Sequence, residues 1–282
     1  MQKNPYLSRC PIGCDSTLAA TDIVMEEGPL LRCSHCGQLV SQCTEADYIE
    51  RHKQFDTEAG TAPAGTAAER SVRQHSKRLK RIETFCGKPA REMRLLDVGC
   101  SSGDFLQSAK RRGFSVTGVE PAAKPVETAR AQGLDVRQGF LHDAAFPAGF
   151  FDVATLFEVV EHLRDPVALL AECHRILKKD GLLVIGTGNT NSWSVGLMKE
   201  KWDYFELHHG HVSFFNPGSM RELARRTGFT LSAVETKRVS LYQEKHVSKL
   251  RFRLSKIITD SLNEPAKLLN KGHAGLFFLR KK

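Results

Sequence analysis

From residue 91 onward, short apolar runs alternate with amphipathic stretches. MRLLDVG, FSVTGVE, LDVRQG, FDVATLFEV and LLVIGTGN are apolar enough, and short enough, to be strands buried on both faces. Between them, 104–112 and 122–132 carry helical spacing and stop at Gly113 and Gly133. DPVALLAECHRILKKDG predicts a helix capped by Asp165, started by Pro166 and ended at Gly181. NPGSMRELARRTGF predicts another, and TLSAVETKRVSLY and AGLFFLRKK are candidate last strands. Strand and helix in strict alternation predict an α/β fold: a doubly wound, mostly parallel sheet over 91–240.

The first 90 residues break this pattern. LAATDIVMEEGPLLRC predicts a hairpin turning near Glu27-Gly28-Pro29. Around it stand two knuckles, CPIGC and CSHC, which place Cys10, Cys14, Cys33 and Cys36 as candidate metal ligands. In a reducing compartment paired cysteines point to metal rather than disulfides, and four thiolates in this spacing are the ribbon arrangement for structural zinc. Such a site is closed and leaves no open position for chemistry. His35 lies inside the second knuckle and reads as a bystander. Residues 1–47 are therefore expected to be a zinc-ribbon module. Residues 48–90 are expected to hold a linker, rich in Gly, Ala, Thr and Pro over 56–68, and a lid-like helix over 69–86.

Charge adds one feature. The chain is +9 overall, but 70–82 holds six Lys or Arg and no acid, and 238–282 holds eleven against three acids. A basic helix with Val247, Leu250, Leu254, Ile257 and Ile258 at helical spacing is expected within 241–282, ahead of the last strand. It is a candidate contact for an anionic membrane surface at 244–270, set against plain packing on the domain. No apolar run approaches the length of a membrane span, and no secretory leader pattern opens the chain, so the protein is expected to be cytoplasmic, with a peripheral membrane contact at most.

The stretch LLDVGCSSGDF, 95–105, carries the sharpest chemistry. A strand runs into a turn of small residues and then a helix, which lets a ligand approach the backbone. Glu120 ends the next strand, 23 residues after Asp97, where an acid reaches ribose hydroxyls in Rossmann-like folds. The diphosphate fingerprint is absent, and Asp104 would repel phosphates, so a nucleoside without phosphates fits better. This stretch resembles the first motif of class I S-adenosylmethionine-dependent methyltransferases, and VTGVEP their second-strand motif. FDVATLFEVVEHLRDP and RILKKDGLLVIGTGN are similar to segments of the ubiquinone-type O-methyltransferase branch. The knuckles resemble those of a bacterial subset associated with sugar or glycan methylation. Ser101 departs from the usual glycine.

The resemblance implies S-adenosyl-L-methionine as cofactor. It implies Asp97, Gly99, Cys100 and Gly103 around the methionine part, Glu120 on the ribose, and Pro121, Phe140 and Leu141 near the adenine with His142 and Asp143 beside them. Phe157 would face the cofactor or the cleft. The candidate catalytic groups are Glu161 and His162, just past the fourth strand, and His211, in a long insertion, 189–216, that begins at the ligand edge of the sheet. The insertion's HHGHVSFFNP places three histidines in four positions, yet no Cys, Asp or Glu nearby in sequence completes a metal site. A histidine suits the task of base for a hydroxyl nucleophile. The implied reaction is methylation of a hydroxyl, or a carbon, of a small-molecule, sugar or lipid-linked glycan acceptor. Two alternatives stand beside it. One is an RNA methyltransferase using the ribbon and basic blocks, weakened because aromatic stacking platforms are sparse among those charges. The other is a non-enzymatic zinc-ribbon interaction module.

Overall fold

The computed structural model describes residues 5–58, 66–205, 210–240 and 249–282, so His208 and His209 lie outside the described residues. The N-terminal region forms β1 (Leu18–Met25), β2 (Gly28–Cys33) and β3 (Leu39–Val40), followed by α1 (Glu45–Glu58) and α2 (Thr66–Cys86). The main domain continues with β4 (Arg94–Val98), α3 (Asp104–Arg112), β5 (Ser115–Glu120), α4 (Ala123–Ala131), β6 (Val136–Gln138) and β7 (Phe151–Phe157). It ends with α5 (Pro166–Ile176), β8 (Leu177–Gly188), α6 (Trp193–Met198), β9 (Ser213–Phe214), α7 (Pro217–Arg226), β10 (Phe229–Thr236), α8 (Lys249–Leu268) and β11 (Ala274–Lys281).

Seven strands make the main sheet in the order β10-β11-β8-β7-β4-β5-β6. All neighbours from β8 to β6 pair in parallel, and only β11 runs antiparallel, between β8 and β10. The apolar alternation within each strand divides the core in two. Leu96, Leu156, Leu183, Ile185 and Phe277 face α5 and α7. Leu95, Val153, Leu182, Val184 and Phe278 face α2, α3 and α4. Each such side chain, fully buried, contributes roughly 1.5–3 kcal/mol. The expected lid helix belongs to this second layer: Leu79 and Ile82 are fully buried, and Phe85 stacks on Phe278 at 4.1 Å.

Three elements differ from the sequence expectation. Helix α1 occupies much of the expected linker, leaving only 59–65 between the two helices. Its start is set by Thr44 and Asp47, whose side chains bond each other's backbone amides. Helix α5 is capped by Asp165 as expected, but it stops at Ile176 rather than Gly181. Leu177 is pulled into the sheet by pairing with Phe151 and full burial, which outweighs the helical spacing of the lysines after it. The third difference concerns the ribbon. Its sheet has four strands, β1-β2-β3-β9, and the fourth comes from the distant histidine-rich insertion. Leu39 pairs with Phe214 and Val40 with Ser213, so the ribbon is stitched into the main domain.

Candidate active site

The turn after β4 is held by backbone bonds. The amides of Gly99 and Cys100 both donate to the Val119 carbonyl, at 2.8 and 3.2 Å. Gly103 takes φ +86°, and a Cβ there would lie 2.4 Å from Leu134 Cδ1, so only glycine fits. Ser101 also adopts a left-handed φ, +47°, where the related motif carries glycine. Its amide donates to Glu120 Oε2 at 2.9 Å, which holds the strained turn closed. The other oxygen of Glu120 accepts from the Ala122 amide at 3.1 Å. Glu120 thus ties the ends of β4 and β5 together at the place where ribose hydroxyls are expected.

Asp97 is fully buried beneath this turn, and Thr155 Oγ1 donates to its Oδ1 at 2.5 Å. Desolvation pushes its carboxyl up to about 7, against the lowering effects of Thr155 and the Arg78 guanidinium. Burial likewise raises the Cys100 thiol, which fits a packed loop residue rather than a reactive one. Leu141 is buried in the core with Val98 and Val119, whereas Phe140 is 60% exposed and lies parallel to the His142 ring. Pro121 is exposed at the start of the turn into α4.

Arg78 and Glu158 were not legible from the motifs. Arg78 leaves the basic face of α2 and sits over the Phe157 ring at 4.0 Å. Glu158 follows β7 with φ +56°, and its amide is held by the Gly186 carbonyl at 2.8 Å. This strained backbone turns the carboxylate into the cleft, where Tyr204 Oη donates to it at 3.3 Å. Desolvation by the surrounding walls raises the Glu158 carboxyl.

Glu161, His162 and His211 converge. One ligand atom from each lies within 4.8 Å of the others, and the two imidazole rings are 4.6 Å apart. Glu161 is 1% exposed, and its carboxyl lies against the Glu158 carboxyl and the Thr187 side chain. Burial first, then the charge of Glu158, raises its carboxyl well above the ordinary range. His211 Nδ1 lies 2.9 Å from the Tyr204 carbonyl; a proton on that nitrogen leaves Nε2 as the accepting one. The fold brings Glu161 and His162, some 50 residues earlier in the chain, within ligand distance of His211, a grouping of three potential ligands. Sequence distance concealed it, because β9 brings the insertion back against the turn after β7, with the Val212 amide on the Glu161 carbonyl at 2.9 Å.

The four knuckle cysteines also meet, with one sulfur each within 4.8 Å. A zinc ion bound at about 2.3 Å to each thiolate needs sulfurs roughly 3.8 Å apart, and Cys10 Sγ to Cys36 Sγ is 3.7 Å. The residues therefore fit a tetrahedral ion. Ser16 Oγ lies 3.0 Å from Cys33 Sγ, and Asn216 Nδ2 donates to the Gly37 carbonyl while its Oδ1 caps α7.

Comparison with known proteins agrees with this geometry. A family model described as a methyltransferase domain matches residues 70–234, more than half of the chain. A ubiquinone biosynthesis O-methyltransferase of Cereibacter sphaeroides is 32% identical over 151 residues, covering 50% of this chain and 61% of that one. Its counterpart in Vibrio parahaemolyticus is 32% identical over 149 residues, covering 49% and 63%. The chain thus spans under two thirds of the length of these curated relatives. Among solved structures, geranyl diphosphate C-methyltransferase from Streptomyces coelicolor aligns with a TM-score of 0.55 at 16% identity, over 84% of this chain and 98% of that one. A SAM-dependent methyltransferase from Archaeoglobus fulgidus aligns at 0.52 and 19% identity, over 73% and 94%. At such identities the structures speak for the fold alone. With the matched family, the strand order and the turn closed by Glu120 in agreement, the chain belongs to the class I S-adenosylmethionine-dependent methyltransferases.

Proposed function

We propose that this chain transfers a methyl group to a hydroxyl of a small-molecule, sugar or lipid-linked glycan acceptor. The observation that carries the reading is the convergence of Glu161, His162 and His211 at the carboxyl end of β7, beside the cofactor turn. Bound S-adenosylmethionine supplies a methyl group on a sulfonium, which a nucleophile displaces in line. Arg78, stacked on Phe157 and close in charge to Asp97, is placed to balance the methionine carboxylate. Asp97 takes the ammonium, and Glu120 takes the ribose. Holding the reactants in line supplies up to about 7–11 kcal/mol of barrier reduction in ideal cases.

The acceptor proton goes to His211 Nε2; Glu161, whose burial favours its neutral form, lies beside it and positions the imidazole pair. Tyr204, Trp202 and Phe214 wall this side of the cleft. The RNA reading gains little from the basic face of α2. Arg78 turns into the cleft and Arg81 pairs with Glu235. A structural zinc on Cys10, Cys14, Cys33 and Cys36 would hold the two knuckles, and through Asn216 the start of α7. No helix among the described residues is long and apolar enough to cross a membrane.

The test uses S-adenosylmethionine labelled on the methyl group. Incubated with cell extract and then separated into small-molecule, lipid and RNA fractions, label is expected in the first or second. Label in RNA alone overturns the reading.

A further inference from the structure

The cleft contains two cations with no ion-pair partner among the described residues. Lys237 follows β10 directly, and neither it nor Arg78 has a carboxylate within 4.0 Å among the described residues. Instead both point at one neutral group: with the Gln74 amide turned so that its oxygen faces them, as the two donors require, it accepts from Lys237 Nζ at 2.9 Å and from Arg78 Nη2 at 2.8 Å. Arg78 Nε is buried without a partner. Glu158 attracts the Lys237 charge, and Arg78 and Arg238 repel it. Two like charges sharing one amide oxygen repel each other, and an anion lying between them relieves that repulsion.

The two cations meet head to head at Gln74 but arrive from different elements. Arg78 sits over Phe157 and senses Asp97, which places it at the methionine end of the cofactor half. Lys237 rises from β10, beyond β8 and β11, at the opposite half of the sheet from the cofactor turns of β4 and β5. Its backbone is fixed there. The Lys237 amide donates to the Ala274 carbonyl at 2.9 Å, and its carbonyl accepts from the His273 amide at 3.1 Å. Gly272 packs so closely on that carbonyl that a Cβ would lie 1.7 Å away. His273 in turn is paired with Asp203 at 2.7 Å and accepts from Trp202 Nε1 at 3.1 Å, so Lys237 is anchored to the aromatic wall of the acceptor side.

We infer that Lys237 recognises an oxyanion, a carboxylate or a phosphate, carried by the acceptor. The inference rests on the proposed hydroxyl methylation for placing the acceptor in this half of the cleft, and it narrows the substrate class to anionic hydroxyl compounds. One amine hydrogen-bonding a charged group gives a preference of about tenfold or more. The rival arrangement puts both cations on the methionine carboxylate.

The test is calorimetry on the full chain saturated with S-adenosylhomocysteine, with two pairs of probes at constant ionic strength. Catechol against 3,4-dihydroxybenzoate reads the carboxylate; glucose against glucose 1-phosphate reads the phosphate. The anionic member of at least one pair is expected to bind about tenfold tighter. Lys237→Met removes that preference and Lys237→Arg keeps most of it, while affinity for S-adenosylhomocysteine stays within about twofold in both. Equal binding within both pairs overturns the inference. So does a Lys237→Met variant that loses S-adenosylhomocysteine affinity instead, since that result puts the lysine on the cofactor. Methyl transfer to the same four probes, measured in separate mixtures with S-adenosylmethionine in place of S-adenosylhomocysteine, reads the hydroxyl proposal separately: an anion preference lost in Lys237→Met but unaccompanied by transfer leaves Lys237 assigned and refutes the hydroxyl acceptor.

Discussion

The proposed cofactor and acceptor halves of the cleft are built in opposite ways. The cofactor half comes from one short span, 95–122, and its polar groups satisfy one another: the turn amides on Val119, and Ser101 and Ala122 on Glu120. The acceptor half is gathered from four separated places, namely the turn after β7, the insertion around His211, Lys237 and His273, with Arg78 of α2 at its border with the cofactor half. Its charged groups are left under stress, with Glu161 buried against a second carboxyl, Glu158 on a strained backbone, and Lys237 without an ion pair among the described residues. A rigid, satisfied surface holds a ligand in one place. Desolvated groups with displaced proton affinities are what proton transfer requires.

Separate substitutions should break one half and spare the other. The largest effect is expected from His211→Ala: transfer falls by about 10²–10⁴ while calorimetry shows S-adenosylhomocysteine affinity unchanged. Equal loss in both measurements would mean that the two halves are not independent. Next in size, Glu120→Ala should weaken S-adenosylhomocysteine by about ten- to a hundredfold, because a carboxylate hydrogen bond to ribose is lost and the turn is released. Undiminished binding by this variant would refute the role given to Glu120.

The smallest effect is set by pH. Asp97, raised from 3.8 to about 7, takes up a proton as pH falls through that value. Cofactor affinity should then drop by up to about tenfold per pH unit, since the ammonium meets a neutral acid. Stability of the free protein runs the other way. The folded state binds this proton more tightly than the unfolded chain, so the contribution is full below about 4 and is lost as pH rises through about 7. Asp97→Asn should flatten both curves; a variant that titrates like the parent would assign the dependence to another group.

The same contrast explains what the sequence made legible. Contiguous patterning was enough for the parallel sheet, the cofactor turn and the four thiols, because each is local or repeats at short spacing. The acceptor half was visible only in fragments. His211 and Glu161 could be named singly, but their meeting depends on β9 pairing with β3, two residues against two, which carries no periodic signal. Arg78 was hidden among five other basic residues of one helix, since only helix phase decides which of them faces inward. Leu177 shows the reverse error: a local helix pattern yielded to burial in the sheet.

The pairing of β3 with β9 also sets an order of assembly. Residues 39–40 leave the ribosome far ahead of 213–214, the strand that completes their sheet. During that interval the edge of the ribbon is unpaired, and an open strand edge is where chains associate wrongly. Closing it requires a contact across most of the chain, which slows folding. An ion held by the knuckles from the outset would keep that edge in register until its partner arrives. The cysteines then guard the nascent chain as well as brace the finished enzyme, and their loss would show first as poor yield of folded protein.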